Sequence, residues 1–143
     1  SRIEISSEIQ DSSVTLECFP NKLVQVFLHL LDNATYWALK SDERPCVSIK
    51  VYLASSLSGD NSIRIDISDN GPGISDADRA RIYDPFFTSE PISKTGLGLS
   101  VCQLFVQQHS GNLRHERREG KTVAIVSFAV DDSFSEIKET VIS

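Results

Sequence analysis

The chain opens on alternation. "RIEISSEI" and "SVTLECF" place apolar residues mostly at every second site, the pattern of two short strands, the second ending at Pro20. From Asn21 the period changes. Leu23, Val26, Phe27, Leu30, Leu31, Ala34, Trp37 and Ala38 recur at the i, i+3, i+4, i+7 spacing of an amphipathic helix, which stops near "SDERP", where Pro45 forbids continuation. "CVSIKVYLAS" and "SIRIDISD" alternate again around the turn "LSGDN" and read as a hairpin. Next come a short acidic-then-basic helix, "SDADRARIY", and a loop, "DPFFTSEPISKTG", with two prolines and no apolar period. "LGLSVCQLFVQQHSG" predicts a helix with Leu97, Val101, Leu104 and Phe105 inward and Gly111 as its C-cap. "NLRHERREGKTVAIVSFAV" predicts a closing hairpin that turns at "EG". The order β β α β β α α β β points to a two-layer α/β sandwich, a mostly antiparallel mixed sheet with helices on one face.

Composition narrows the function. The 143 residues suit one domain, expected over 1–130 and followed by a polar tail over 131–143. A net charge of -6 argues against a nucleic-acid surface. No apolar run approaches the roughly 20 residues of a membrane span, so no direct membrane contact is expected. Three scattered cysteines with no CxxC pair fit a reducing, cytoplasmic setting rather than a disulfide framework. The abrupt, strand-like start suggests a segment of something longer.

Four places carry candidate chemistry. Asp69 has the parity of Ile63, Ile65 and Ile67, so its carboxylate points inward at the end of a strand, beside Gly71 and Gly73. A buried charge needs a donor, whereas "DNGPG" alone is a common turn former. His29 and Asn33 lie one helical turn apart at the edge of the apolar stripe, where they could hold a cation or a metal-bound water, or simply be half-exposed. Trp37 and Tyr36 read as packing residues. "KTGLGLS" leads into a helix, and free N–H groups there suit an anion, although neither the Rossmann nor the Walker pattern is present. Thr122 has the parity of Val126, Phe128 and Val130, which turns its hydroxyl inward.

In this order the four resemble the ATP-binding catalytic domain of sensor histidine kinases, a family shared with type II topoisomerases, 90-kDa heat-shock chaperones and mismatch-repair ATPases. "QVFLHLLDNA" is similar to the N-box, "DNGPGI" to the G1 box, "DPFFT" to the F-box and "TGLGLS" to the G2 box, and "GKT" to the closing Thr motif. The likeness runs from about Gln25 to Phe128. It implies a Bergerat-type ATP-binding fold. It implies that Asp69 accepts from the adenine amino group with Thr122 and a water beside it, that Gly71, Gly73 and Ile74 border the base, and that Asn33 ligates Mg2+ on the phosphates of ATP. It implies a lid from Tyr83 to Thr95 anchored by Phe86 and Phe87, with Lys94, Thr95, Gly96, Leu97, Gly98 and Leu99 around the phosphates.

The sequence departs from the pattern at His29, where Asn is common, at Tyr36, where a basic residue is common, and at Glu90, where Lys is common. His29 could act as a base or water-orienting group, or only hydrogen-bond. Of the three histidines, His115 sits in a strand pattern, expected to lie away from the pocket mouth, and His109 at a helix end. Neither resembles a phosphoacceptor on a helical hairpin. The resemblance therefore implies a monomeric catalytic half. Its partners would be a phosphoacceptor-histidine dimerisation domain upstream in the parent chain and a response regulator, in a cytoplasmic setting whose parent could be membrane-anchored. Two alternatives stay open: an ATP-hydrolysing switch, and a non-catalytic nucleotide-binding module.

Overall fold

A computed structural model describes residues 3–9, 16–55, 57–84 and 98–130. The expected tail and the segment 85–97 lie outside the described residues. Five strands form one sheet: β1 (Glu4–Ile9), β2 (Cys46–Ser55), β3 (Asn61–Asp69), β4 (Gly111–Arg118) and β5 (Lys121–Val130). Their order is β1-β2-β3-β5-β4, antiparallel except for the parallel pair β1 and β2. That pair is joined by α1 (Pro20–Ala38), as a parallel crossover requires. Two further helices follow β3: α2 (Asp76–Arg79) and α3 (Leu99–Gln108). α1 packs on β2 and β3, and α3 on β4 and α1. The mixed sheet covered by helices on one face is the architecture expected from the sequence.

The core lies between α1 and the sheet. Leu23, Val26, Leu30, Ala34 and Ala38 of α1 close onto Val47, Ile67, Leu113, Val126 and Phe128. α1 ends at Ala38, and Leu39 to Ser41 turn back on its last carbonyls, so Pro45 comes after a helix that has already stopped. The Glu119–Gly120 turn has φ of 52° and 77°, the left-handed pair of a tight two-residue hairpin turn. It pairs Arg118 with Lys121 and fixes the register of β4 on β5.

Three expectations need correction. Residues 16–19 are not a strand, and 13–15 lie outside the described residues. Leu16 and Cys18 pack against the core while Glu17 and Phe19 are exposed, so the alternation reports burial without a ladder partner. On α3 the buried residues are Cys102 and Val106, with Leu99 and Phe105 packed beside them, and Leu104 is 51% exposed. Leu104 stands two residues from both Cys102 and Val106, roughly 200° around the helix, so it faces away. Gly111 is not the C-cap. His109 caps α3, and Ser110 takes the positive φ of 57°. Gly111 instead begins β4, where an added Cβ would lie 2.6 Å from the Ser127 carbonyl oxygen and 2.7 Å from the Phe128 ring.

That contact gives a stability prediction. Gly111→Ala should destabilise the fold by about 1–3 kcal/mol through overpacking against Phe128. Denaturant unfolding measures it, and a midpoint equal to that of the unaltered chain would refute the packing assigned to Gly111.

Candidate functional site

The ladder brings the polar groups together. In register, Val47 stands opposite Asp69, Asp69 opposite Thr122, and Thr122 opposite Arg117. This row is the last helix-facing row of the sheet. The row beneath it holds Ile49, Ile67, Ala124 and His115. α1 crosses above, and Asn33, Ala34 and Trp37 line a cleft with Asp69, Ile74 and Thr122.

Asp69 is 5% exposed, as its strand parity predicted. Its Oδ1 accepts from the Gly71 N–H at 2.9 Å. Burial pushes its pKa up to about 6, against the opposing pull of that N–H and of the Arg117 guanidinium. Arg117 Nη1 donates to the Gly71 carbonyl at 3.0 Å and to Thr122 Oγ1 at 2.8 Å. It thereby ties the Gly-Pro-Gly turn to β5.

The glycines have structural reasons of their own. A Cβ on Gly71 would lie 2.4 Å from the Trp37 carbonyl oxygen, so the turn can meet the end of α1 only without a side chain. Gly73 has φ of 89°, and Arg117 covers it at 3.0 Å from where a Cβ would sit. Asn70 anchors the turn, accepting from the Cys46 N–H and donating to the Arg44 carbonyl.

On α1, Asn33 is half-buried and borders the cleft, while His29 is only 3% exposed. Burial lowers the His29 pKa, partly countered by Asp32. Gly98 caps α3 in extended backbone without a side-chain cap, and Leu99 opens the helix, packed against the core. Phe86, Phe87, Lys94, Thr95, Gly96 and Leu97 lie outside the described residues. Among the described residues no group of three or more His, Cys, Asp or Glu could hold a metal ion.

Three residues at the site were missed. Trp37, read as packing, lines the cleft and buries an Nε1 with no hydrogen-bond partner among the described residues. Arg117 was not singled out. His115, expected away from the pocket, is in its wall. The signal for the last two was available: counting back from the Glu119–Gly120 turn puts both on the face of Leu113. His109 is elsewhere. Its Nε2 accepts from the Phe19 N–H at 2.9 Å and its Nδ1 meets the Phe105 carbonyl at 2.7 Å, tying α3 to the start of α1.

The chain has relatives among known sensor proteins and histidine kinases. The sensor protein DctS of Rhodobacter capsulatus, named for C4-dicarboxylate transport, is 32% identical over 130 residues, covering 90% of this chain and 19% of its own length. The chain thus spans about a fifth of that relative. The mycobacterial sensor histidine kinase MprB superposes with a TM-score of 0.70 at 26% identity, covering 89% of this chain and 81% of that one. Histidine kinase ThkA, solved in complex with the response regulator protein TrrA, has the same fold at a TM-score of 0.68 and 23% identity, covering 89% of this chain and 34% of that one. The family described as histidine kinase-, DNA gyrase B- and HSP90-like ATPase matches residues 19–132, and the chain belongs to that family.

Proposed function

We propose that this chain is the Mg-ATP-binding catalytic domain of a sensor histidine kinase, with residues 1–130 as the nucleotide-binding unit. The observation that carries the reading is the buried Asp69 carboxylate, in one sheet row with Thr122 and sharing a cleft with Asn33. A carboxylate held there by one backbone N–H keeps acceptor capacity for the exocyclic amino group of adenine. Thr122 with a water completes that contact, and Gly71, Gly73 and Ile74 border the base. By resemblance to the family, Phe86 and Phe87 would anchor a lid over the nucleotide. By the same resemblance, Lys94, Thr95, Gly96, Leu97, Gly98 and Leu99 would surround the phosphates. The uncapped amide groups at the start of α3 suit an anion.

Asn33 fits magnesium. The ion takes hard oxygen ligands, keeps several waters and needs few protein groups when phosphates supply the rest. One carboxamide oxygen on α1 meets that need without an acidic cluster. When bound, the ion would neutralise phosphate charge. His29, buried and neutral one turn earlier, would serve as a hydrogen-bonding or water-orienting group beside Asn33.

The reaction is in-line transfer of the γ-phosphoryl group to a histidine on a separate helical domain, and from there to a response regulator, in the cytoplasm. The domain contributes positioning and charge neutralisation. ThkA's complex with TrrA supports the regulator as a partner. Among the described residues no helix is long and apolar enough to cross a membrane.

None of this chain's histidines suits the acceptor role. His109 has both nitrogens engaged, His29 is buried on α1, and His115 is in the cleft wall. With γ-labelled ATP and a phosphoacceptor hairpin from the parent kinase in trans, acid-labile, base-stable label should accumulate on the hairpin alone. Label on this chain would overturn the division of labour. No label on either would favour a non-catalytic nucleotide module.

Asp69→Asn should weaken ATP binding by about 2–3 kcal/mol, because an amide loses the charge-assisted bond and presents a donor to a donor. The sign of the pH effect follows from the raised pKa. Ionised Asp69 is the acceptor, so affinity should be full above about 6 and fall as pH drops through it. The phosphates titrate in the same range, so the test is the difference between the two proteins: calorimetry should show a steeper loss for the unaltered chain than for Asp69→Asn. Equal slopes would contradict the role of the carboxylate.

Asn33→Ala should leave adenine binding in place while ATP affinity stops responding to magnesium. An undiminished magnesium response would place the metal elsewhere.

A further inference from the structure

β4 puts a second polar group into the cleft. Leu113, His115 and Arg117 alternate onto its helix-facing side, and His115 pairs with Ala124 one row beneath Asp69 and Thr122. Its ring lines the same cleft as Asn33, Asp69 and Ile74. The two ring nitrogens are in different situations. Nδ1 lies 2.6 Å from the Tyr83 hydroxyl oxygen. Nε2 is fully buried and has no hydrogen-bond partner among the described residues.

The direction of the Tyr83 contact sets which nitrogen carries the proton. Burial raises the Tyr83 pKa, so the phenol stays protonated at neutral pH. Burial, with His29 nearby, pushes the His115 pKa down to about 4, so the imidazole is neutral. A neutral phenol can donate or accept, and the arrangement that leaves Nε2 able to serve a ligand has it donate its O–H to Nδ1, with the single ring proton on Nε2. In that tautomer the Nε2–H of His115 has no acceptor among the described residues. Buried polar groups are ordinarily paired, so an orphan in a cleft marks a contact that a ligand completes.

With that tautomer the cleft offers an acceptor at Asp69 and a donor at His115. A complementary ligand presents a donor to the first and an acceptor to the second. Adenine does both: its exocyclic amino group donates, and its ring nitrogens N1, N3 and N7 only accept. Guanine would turn a carbonyl oxygen toward the carboxylate.

We propose that His115 is a base-binding residue, its Nε2–H donating to a ring nitrogen of adenine, with Tyr83 as the positioning residue that holds the proton on Nε2. The inference rests on the nucleotide reading above and extends it to a strand that none of the family-like boxes covers. It makes the choice of purine depend on two groups on different strands, Asp69 on β3 and His115 on β4.

Calorimetry on the full chain tests it, with ATP and three analogues in which N1, N3 or N7 of the base is replaced by C–H. The unaltered chain should bind one analogue roughly tenfold more weakly than ATP, the loss of one hydrogen bond. In His115→Leu, ATP itself should weaken by a similar factor and that analogue should lose its deficit. His115→Gln, which keeps an N–H at comparable reach, should restore part of the preference. Tyr83→Phe should reduce it without abolishing binding. Nitrogen NMR of the unaltered chain should show the Nε2–H tautomer, with its proton shifted on adding ATP. No analogue deficit in the unaltered chain, or an undiminished one in His115→Leu, would overturn the proposal while leaving nucleotide binding intact. Should His115→Leu fail to fold, imidazole signals unmoved at ATP saturation would overturn it equally. Failure of the unaltered chain to bind any nucleotide would sink the nucleotide reading itself.

Discussion

A charged group at the end of a core-facing row is the constraint around which this fold is arranged. Ile67 and Asp69 share one face of β3, and both are nearly fully buried. For isoleucine that burial is favourable. For a carboxylate it is costly, and that burial pushes the pKa of Asp69 up. The structure answers with a backbone donor from Gly71 and a guanidinium from Arg117. Both depend on the Gly-Pro-Gly turn folding back toward the sheet, and the turn in turn depends on Asn70 bonding to Arg44 and Cys46.

α1 serves the core and the cleft with adjacent residues. Leu30 and Ala34 are core, and Asn33 and Trp37 border the cleft. The helix also supplies the backbone surface against which Gly71 packs. Movement of α1 relative to β3 would disturb apolar packing, the turn and the cleft at once. Such coupling ties the geometry of the cleft to that of the core.

The opposite face of the sheet shows how a one-sided sandwich is finished. Val123 and Ile125 of β5 point away from the helices yet are buried. The neighbouring strands place Tyr52, Arg64, Asp66, Arg114, Glu116 and Arg118 on that side. Tyr52 donates to Asp66 at 3.0 Å, Arg118 approaches Asp66 at 3.7 Å, and Arg64 stacks over the Tyr52 ring. Among the described residues, long polar side chains with apolar stems share that face with the two aliphatic residues.

What the sequence by itself determined is local and periodic. Strand alternation placed Asp69 and Thr122 inward, helical spacing defined α1, and Glu119–Gly120 marked the last turn. The ordered boxes identified the family. Tertiary structure decided what periodicity leaves open. Short apolar runs such as "LSVCQLFVQQ" admit more than one buried face, and packing on β4 and α1 selected Cys102 and Val106 over Leu104. The alternation of Leu16 and Cys18 looked like a strand because burial and laddering share a period of two, and only a neighbouring strand tells them apart. Gly71 and Gly111 owe their identity to atoms far away in the chain, the Trp37 carbonyl and the Phe128 ring. His115 and Arg117 entered the cleft for the same reason: strand order β3-β5-β4 lays β4 two strands from Asp69, a proximity that exists only once the sheet is assembled.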